Sequence, residues 1–258
     1  MPLHLLLASL ALLLAGCATS PEGAITQVST INALLAGGYD GQMSLPELRT
    51  HGDFGIGTFD RLDGEMILLD GRFHQARVDG SVATPSPDLK TPYAVVTWFR
   101  PTATRTVAQP LDIAGIEKAL LAMFPNPNAF CAVRARGHFA RVKVRSVPPQ
   151  KKPYSLLIEA SKGQAVFERR DVAGTLVGFR APAWIQGISV PGAHFHFFSD
   201  DGRTAGHLLD GTLDRGEVAA QACHLFTMVL PRDEGGIAHL NLTADRSAEL
   251  EKVESDRR

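Results

Sequence analysis

Short apolar runs separated by turn residues make up most of the chain after residue 52. In GIGTFDRLDGEMILLDGRFHQARVDG (55–80), Asp-Gly steps at 63–64, 70–71 and 79–80 separate the runs. Asp-Gly between apolar runs is typical of tight β-hairpin turns, so this region is predicted to be a meander of hairpins. The segments TPYAVVTWFR (91–100) and FCAVRARGHFARVKVRSV (130–147) are rich in β-branched or alternating residues and favour further strands.

Only a few segments carry the spacing of a helix. Short helices are predicted in TINALLAGGYDG (30–41), which Gly37-Gly38 ends, in SLPELRTHG (44–52) and over 155–162. In DIAGIEKALLAMF (112–124), apolar residues recur at helical intervals and the pattern stops before Pro125. The chain is therefore predicted to be an α+β protein of mixed and antiparallel β-sheets with a few short helices.

The stiff, polar segment PPQKKPY (148–154) is a candidate domain boundary. It divides the chain into an N-terminal sheet domain at 31–150 and a C-terminal domain at 151–258, after a polar leader at 18–30. The tail ADRSAELEKVESDRR is charged throughout, and its composition by itself predicts a solvated segment.

The N-terminus MPLHLLLASLALLLAGC is apolar from Leu5 to Ala15, which is too short to span a bilayer comfortably. It has the form of a secretory signal peptide at 1–17, and Leu14-Ala15-Gly16-Cys17 resembles a bacterial lipobox. Cleavage there would leave Cys17 carrying lipid as the only membrane attachment. The protein is then expected to be exported and anchored on the periplasmic side, or secreted. A plain signal peptide cut near Ala18 and a misassigned start codon are the alternatives.

The composition narrows the range of partners. The chain has 258 residues, is 45% hydrophobic and 21% charged, and carries a formal net charge of -1. This is ordinary for a globular protein and excludes the electrostatic footprint of a nucleic-acid binder. A small molecule or another protein is the expected partner. Cys131 and Cys223 lie in apolar runs, and both a disulfide and two buried thiols remain open.

A histidine-rich segment, VPGAHFHFFSDDGRTAGHLLDG (190–211), carries the clearest candidate chemistry. Alternation on a strand puts His194 and His196 on one face. If Asp201-Gly202 are the central residues of a hairpin turn, His207 lies directly opposite His196. The register therefore predicts three converging imidazoles on a hairpin, with coordination positions left open as in catalytic zinc sites.

Zinc is the default ion for such a site, but iron, copper, nickel or manganese would also suit three imidazoles. A polar strand face that carries histidine by coincidence is the structural alternative, and a β-bulge would break the register. Two other functions are compatible with the histidines. One is a non-enzymatic extracytoplasmic metal-binding lipoprotein. The other is a cupin-like metal dioxygenase, which would carry a glutamate a few residues after His-x-His, where this chain has Asp200 and Asp201.

Four stretches together resemble the α-acetolactate decarboxylase family: 57–75, 136–154, 174–211 and the EKVE of the tail. The resemblance extends from about Thr30 to Glu254, and 181–211 is its most specific part. It implies conversion of 2-acetolactate to acetoin and carbon dioxide with a bound divalent metal, usually Zn²⁺. It also implies a two-part α/β structure and a homodimer.

The family's functional residues carry over onto matching positions of this chain. The implied metal ligands are His194, His196 and His207. The implied catalytic residues are Glu65, Arg145 and a tail glutamate, with Glu254 the first choice and Glu251 the second. Arg145 is also implied in substrate binding, together with Thr58 in the GTF motif.

The implied reaction is consistent with these side chains. Loss of carbon dioxide leaves an electron pair that flows into the adjacent ketone, and a metal bound to hydroxyl and ketone oxygens would stabilise the enediolate. Arg145 offers a planar fork for a carboxylate, and a carboxylic acid can protonate the enediolate. Without the resemblance, Arg145 would equally be read as a solvated strand residue on one face with Arg141 and Lys143.

Overall fold

The computed structural model describes residues 22–231 and 234–254. The predicted signal peptide at 1–17, and with it Cys17, lies outside the described residues. So do positions 18–21 of the leader. The rest of the leader is not merely a polar connection, because strand β1 (Ala24–Val28) forms there with Ile25 and Gln27 fully buried.

Two large β-sheets make up the fold. The seven-stranded sheet contains β1 and six further strands: β3 (Phe54–Thr58), β4 (Glu65–Leu69), β5 (Arg72–Ala76), β6 (Val82–Ala83), β8 (Ala94–Thr97) and β14 (Leu225–Val229). Its order is β14-β1-β8-β3-β4-β5-β6, and only β1 and β14 are parallel neighbours. A separate two-stranded sheet joins β2 (Met43–Ser44) and β7 (Lys90–Thr91).

The second large sheet closes on itself. It consists of β9 (Ala103–Val107), β10 (Phe130–Ser146), β11 (Ala165–Ala181), β12 (Gly192–Ser199) and β13 (Ala205–Cys223). Its order is β10-β11-β12-β13-β9, and β10 also pairs with β13, so four strands form a barrel. Phe139, Phe195 and Phe197 pack inside this barrel, whereas a second apolar cluster lies between the barrel and the seven-stranded sheet.

The described residues form six short α-helices. Four lie between strands: α1 (Ile31–Leu35), α2 (Leu45–Arg49), α3 (Ile113–Met123) and α4 (Leu157–Ala160). The other two, α5 (Glu234–Ile237) and α6 (Ser247–Glu254), follow β14. The helix predicted at 112–124 is confirmed as α3, and the Asp112 side chain caps it by accepting a hydrogen bond from the Gly115 amide at 2.7 Å. The predicted α+β class, with mostly antiparallel sheets and few helices, is confirmed.

The predicted meander is also present, as β3 to β6 pair in sequence order. Asp70 and Gly71 both have positive φ, +49° and +76°, in the two-residue turn that sets Leu69 opposite Arg72. The proposed division near residue 150 stays a prediction. The sheets do not follow it, because β10 lies in the barrel with β11 to β13 while β14 joins the N-terminal strands.

Cys131 and Cys223 are free thiols, so the disulfide alternative is wrong. They lie on neighbouring strands, but Cys223 is opposite Phe130 and Cys131 is opposite Ala222. This offset points the two side chains to opposite faces of the sheet: Cys131 belongs to the barrel interior and Cys223 to the cluster between the sheets. Burial raises the pKa of both thiols.

Gly137 allows the close packing of the long barrel strands. It lies opposite Gly174 on β11 and Gly216 on β13, and a Cβ at 137 would overlap the carbonyl oxygen of Arg215. We expect Gly137→Ala to lower the free energy of unfolding by about 1–3 kcal/mol, measured by urea unfolding, because backbone must move.

Gly163→Ala is the matched control, since the atom nearest to its Cβ is Pro148 Cγ at 3.2 Å, in a side chain rather than a strand backbone. Equal stabilities of the two variants would contradict this account of the barrel.

Candidate functional site

The hairpin of β12 and β13 has the register that the sequence predicts. His196 is paired with His207, and Phe198 with Ala205. The turn itself differs from the prediction: the Gly202 amide donates to the Ser199 carbonyl at 2.9 Å, so Asp200 and Asp201 are the central residues. The observed loop consists of residues 200–203 and the predicted loop of residues 201–202. Both loops have the same centre, so the register of the two strands is unchanged.

Side-chain hydrogen bonds explain the longer loop. Asp201 Oδ1 accepts from the Ser199 hydroxyl at 2.6 Å and from the Arg203 amide at 3.0 Å. Gly202 then adopts a φ of +67°, which closes the loop without steric cost. These local bonds replace the two-residue Asp-Gly turn.

The three predicted histidines converge on one point. Each of His194, His196 and His207 offers a ring nitrogen, and these nitrogens all lie within 4.8 Å of one another. The His194 Nε2 and His207 Nδ1 atoms are 3.2 Å apart. The cluster could therefore hold a metal ion.

The surrounding structure sets the orientation and the protonation of the imidazoles. His196 Nδ1 donates to the Met66 carbonyl on β4 at 2.8 Å, which directs the Nε2 lone pair into the cluster. Burial lowers the pKa of His194 to about 3 and those of His196 and His207 well below their usual value, and Arg145 lowers all three further. The rings are thus neutral at physiological pH, the form that binds a metal.

One of the buried nitrogens that lack a hydrogen-bond partner among the described residues belongs to this cluster. His207 Nε2 is shielded from solvent but makes no hydrogen bond, and Glu254 Oε2 is 3.6 Å away. A buried polar atom without a partner is costly unless something else binds it. Three neutral imidazoles with this orphaned nitrogen fit a divalent transition metal such as zinc.

Glu65 approaches the cluster from the seven-stranded sheet. It is the first residue of β4, opposite Thr58 on β3. Its Oε2 is 3.7 Å from His196 Nε2 and its Oε1 is 3.4 Å from Arg145 Nη1. The Thr58 hydroxyl donates to the Gly64 carbonyl at 2.8 Å, which holds the turn that ends at Glu65.

Glu254 approaches from the C-terminal tail. Its Oε2 is 3.5 Å from His194 Nε2, and its Oε1 is 4.0 Å from Arg145 Nη2. The charged tail is therefore not simply solvated: α6 buries Leu250 and Val253 and packs against α4.

The two candidate tail glutamates have different environments. Glu254 lines the cavity, whereas Glu251 is exposed and does not line it. The Asn32 amide on α1 donates to the carbonyls of Leu242 and Ala244, at 3.2 and 3.3 Å, just before α6. These bonds fix the path by which the tail reaches the site.

Arg145 is buried, whereas Arg141 and Lys143 of the same strand are only partly buried. It is opposite His207 on β13, so His196, His207 and Arg145 form one row across three strands. It shares a face with Arg141 and Lys143, as alternation predicts, but its side chain is only 5% exposed because the seven-stranded sheet covers it. Arg141, by contrast, pairs with Asp210 near the surface.

Burial also changes the two carboxyls. Desolvation raises the pKa of Glu65 to about 7 against the opposing effect of Arg145, and the nearby Glu254 raises it further. Desolvation likewise raises the pKa of Glu254 to about 7, again opposed by Arg145. Near neutral pH both residues therefore exchange protons, which suits general acids.

These groups line one cavity with an empty volume of about 440 Å³. Its polar wall is made of the predicted residues and of Tyr93, whose hydroxyl lies 3.3 Å from the Ser189 hydroxyl. Apolar side chains form the rest of the wall: Ile31, Leu34, Leu62, Val147 and Leu157. The sequence has no pattern that singles out Tyr93 or these apolar residues, because they resemble ordinary core positions.

Comparisons with known proteins agree on one family. A family model described as "Alpha-acetolactate decarboxylase" matches residues 25–242. The chain is 44% identical over 228 residues to the alpha-acetolactate decarboxylase of Methanosarcina mazei, covering 88% of this chain and 79% of the relative. It is 42% identical over 213 residues to the alpha-acetolactate decarboxylase of Raoultella terrigena, and the match covers 83% of this chain and 82% of the relative.

Solved structures give the same result. The crystal structure of alpha-acetolactate decarboxylase from Bacillus subtilis strain 168 aligns with a TM-score of 0.86 at 36% identity, covering 90% of this chain and 99% of that one. The structure of a Staphylococcus aureus protein of unknown function aligns with a TM-score of 0.85 at 31% identity. That protein is described as similar to alpha-acetolactate decarboxylase, and the alignment covers 89% of this chain and 99% of that one.

The raised pKa of Glu65 predicts a pH-dependent stability of the metal-free protein. The folded state holds this proton up to about pH 7, whereas the usual pKa is 4.5. The resulting stabilisation is complete below pH 4.5 and is lost as the pH rises through 7. We expect Glu65→Gln, which cannot ionise, to gain stability relative to the wild type between pH 5 and 8 in urea unfolding.

Contributions from the histidines are common to both proteins and cancel in this difference. Glu47→Gln, at an exposed position of α2, is the control and should follow the wild type at every pH. A Glu65→Gln curve parallel to the wild type would show that Glu65 is not held protonated.

Proposed function

The chain belongs to the alpha-acetolactate decarboxylase family, and on that premise we propose that it converts 2-acetolactate to acetoin and carbon dioxide with a divalent metal bound by His194, His196 and His207. The observation that carries the proposal is the convergence of three neutral imidazoles, two carboxyls and one guanidinium in a single buried cavity. Zinc is the proposed metal because it accepts three histidines and leaves a position open for substrate.

The bound metal would supply Lewis-acid stabilisation for the negative charge that develops on the substrate's oxygens as carbon dioxide leaves. The imidazoles would hold the ion without adding charge, and the Met66 carbonyl keeps His196 in the tautomer that this requires. The apolar wall faces the substrate's methyl groups and limits water around the reacting carbon.

Arg145 is proposed to orient the substrate. Its guanidinium offers paired donors to a carboxylate, and its Nε makes no hydrogen bond with the described residues. A strong ion pair between Arg145 and the departing carboxylate would stabilise the bound substrate as well as the transition state, and would not by itself increase the rate. Arg145 would therefore contribute by orienting the substrate and by contacting the oxygens of the enediolate. Glu65 and Glu254 flank the guanidinium and hold it in place.

Glu65 and Glu254 are proposed as the proton donors. In the metal-free site, burial raises the pKa of each carboxyl to about 7, so the cavity favours the protonated form, an effect that a bound metal would oppose. They approach the histidines from different elements, β4 and α6, and can deliver a proton to different sides of a bound substrate. Protonation from one defined side would set the stereochemistry of acetoin.

The alternative functions have less support. A metal carrier needs neither a buried arginine nor two carboxyls of raised pKa beside the ion. A cupin-like dioxygenase would place a ligand glutamate soon after His-x-His, where Asp200 and Asp201 form the loop instead.

Export and attachment through a lipid on Cys17 remain part of the proposal and rest on the lipobox-like segment. Within 22–231 and 234–254, no helix is long and apolar enough to cross a membrane.

The first test is acetoin formation from 2-acetolactate by the purified, metal-loaded chain. We expect His196→Ala to lose metal affinity by at least about 100-fold, together with activity, because a ligand and its anchoring bond are both removed. Metal content and acetoin are measured on the same sample.

His239→Ala, at an exposed position, is the matched control and should keep both. Stoichiometric metal with no acetoin from the wild type would refute the proposed reaction.

The second test separates proton transfer from metal binding. Glu65→Gln and Glu254→Gln should keep the metal but lower kcat by about 10²- to 10⁴-fold or reduce the stereochemical purity of acetoin. Glu251→Gln, on the same helix but exposed, should retain the wild-type rate. Chiral chromatography of the product gives the stereochemistry, and full rate and selectivity in Glu65→Gln would exclude its proposed role.

A further inference from the structure

Aromatic and aliphatic side chains are exposed together at one end of the fold. Trp184 is 61% exposed and Leu225 is 44% exposed. Phe130 packs edge-on to Trp184, with ring centroids 6.1 Å apart, and stacks on Phe226, with ring centroids 5.3 Å apart. We call the surface made by Trp184, Leu225 and the partly buried Phe226 the Trp184 face; these three residues and the buried Phe130 help to line a groove beside it.

The N-terminal chain joins the domain beside this face. The Gly23 carbonyl accepts hydrogen bonds from the His224 and Leu225 amides, at 3.0 and 3.3 Å. Ala24 then pairs with Leu225 as β1 begins. Any segment that precedes Gly23 therefore starts next to Leu225, and its point of attachment is held by the backbone.

The proposed anchor lies only a few residues before that point. From Cys17 to Glu22 the chain can extend at most about 18 Å. A folded chain of this size has a radius of gyration of about 18 Å, so its full width exceeds the tether. A domain held this closely can turn only the surface near Gly23 towards the bilayer.

The chemistry of the exposed residues suits that position. Tryptophan combines an apolar ring with an N–H donor and is enriched where protein meets the lipid–water interface. The net charge of -1 provides no electrostatic attraction to anionic lipid, so the contact must be apolar.

We propose that the Trp184 face rests on the phospholipid surface that holds the lipid on Cys17. The inference depends on the proposed anchor and is independent of the proposed decarboxylation. The face is small, so it contributes to orientation rather than to affinity, and the lipid supplies the attachment.

This orientation also places the candidate active site. β1 runs from Ala24 at the Trp184 face to Val28, and Ile31 of the cavity wall follows. The strand by itself spans about 13 Å. The cavity therefore lies past the end of β1 that is farther from the bilayer. This places it on the aqueous side of the attached domain.

Tryptophan fluorescence tests the proposal on the full-length chain, produced in a host that processes lipoproteins. The protein is reconstituted in phosphatidylethanolamine and phosphatidylglycerol vesicles with or without brominated phospholipid, which quenches nearby indole rings. The chain has two tryptophans, Trp98 and Trp184. We expect emission from Trp98→Phe, which retains Trp184, to fall at least twofold with brominated lipid, and emission from Trp184→Phe to change little.

A matched reporter controls for non-specific proximity. The reporter is Val166→Trp in a chain that also carries Trp98→Phe and Trp184→Phe. It places an exposed indole on β11, opposite Arg145. This position is near one end of the paired strands β10 and β11, whereas Phe130 is at the other end. The reporter's emission should not respond to brominated lipid. Quenching of this reporter equal to that of Trp184 would overturn the orientation.

Two other outcomes would also overturn the proposal, and they are distinguishable. The docking face would be refuted if Trp184 emission is not quenched although the mass spectrum shows a lipid on Cys17. In that case, aqueous acrylamide can test whether the face binds a second copy of the chain. Protection of Trp184 from acrylamide that increases with protein concentration would assign the face to that copy. Absence of lipid on Cys17 would refute the anchor, and the acetoin assay would still decide the reaction separately.

Discussion

The hydrogen bond from His196 Nδ1 to the Met66 carbonyl connects the barrel to the seven-stranded sheet at the centre of the site. It fixes the imidazole tautomer and leaves Nε2 facing the cluster. Because Glu65 precedes Met66, the same bond holds that carboxyl 3.7 Å from His196 Nε2. The orientation of this candidate metal ligand and the position of the neighbouring acid thus depend on one contact between two sheets.

The buried charges around this contact balance one another. Isolated ions in such a cavity would be very costly, but Arg145 lies between two carboxyls and the imidazoles are neutral. Desolvation raises the pKa of both glutamates, and Arg145 offsets this effect only in part. A divalent cation at the histidines would supply further positive charge and would favour the ionised carboxylates. Metal binding at the histidines would therefore be coupled to the proton affinity of the two glutamates.

Local patterns predicted a substantial part of the fold. The Asp-Gly steps indicated the meander, and the spacing in 112–124 indicated α3, because turns and short helices depend on neighbouring residues. The loop at 200–203 differed in type, yet its centre, and hence the pairing of His196 with His207, was correct. The strand at Ala24–Val28 was missed, because its burial comes from β8 and β14, which are remote in the chain.

The sequence by itself determined the three-histidine face, since alternation along β12 and the position of the turn are local properties of the chain. It suggested Glu65, Arg145 and Glu254 only through family resemblance. Tertiary structure decided that Arg145 is buried while Arg141 is not, and that Glu254 rather than Glu251 lines the cavity. The reason is physical: burial and convergence depend on how the seven-stranded sheet and α6 pack against the barrel. Those contacts join residues that are distant in sequence and leave no local pattern.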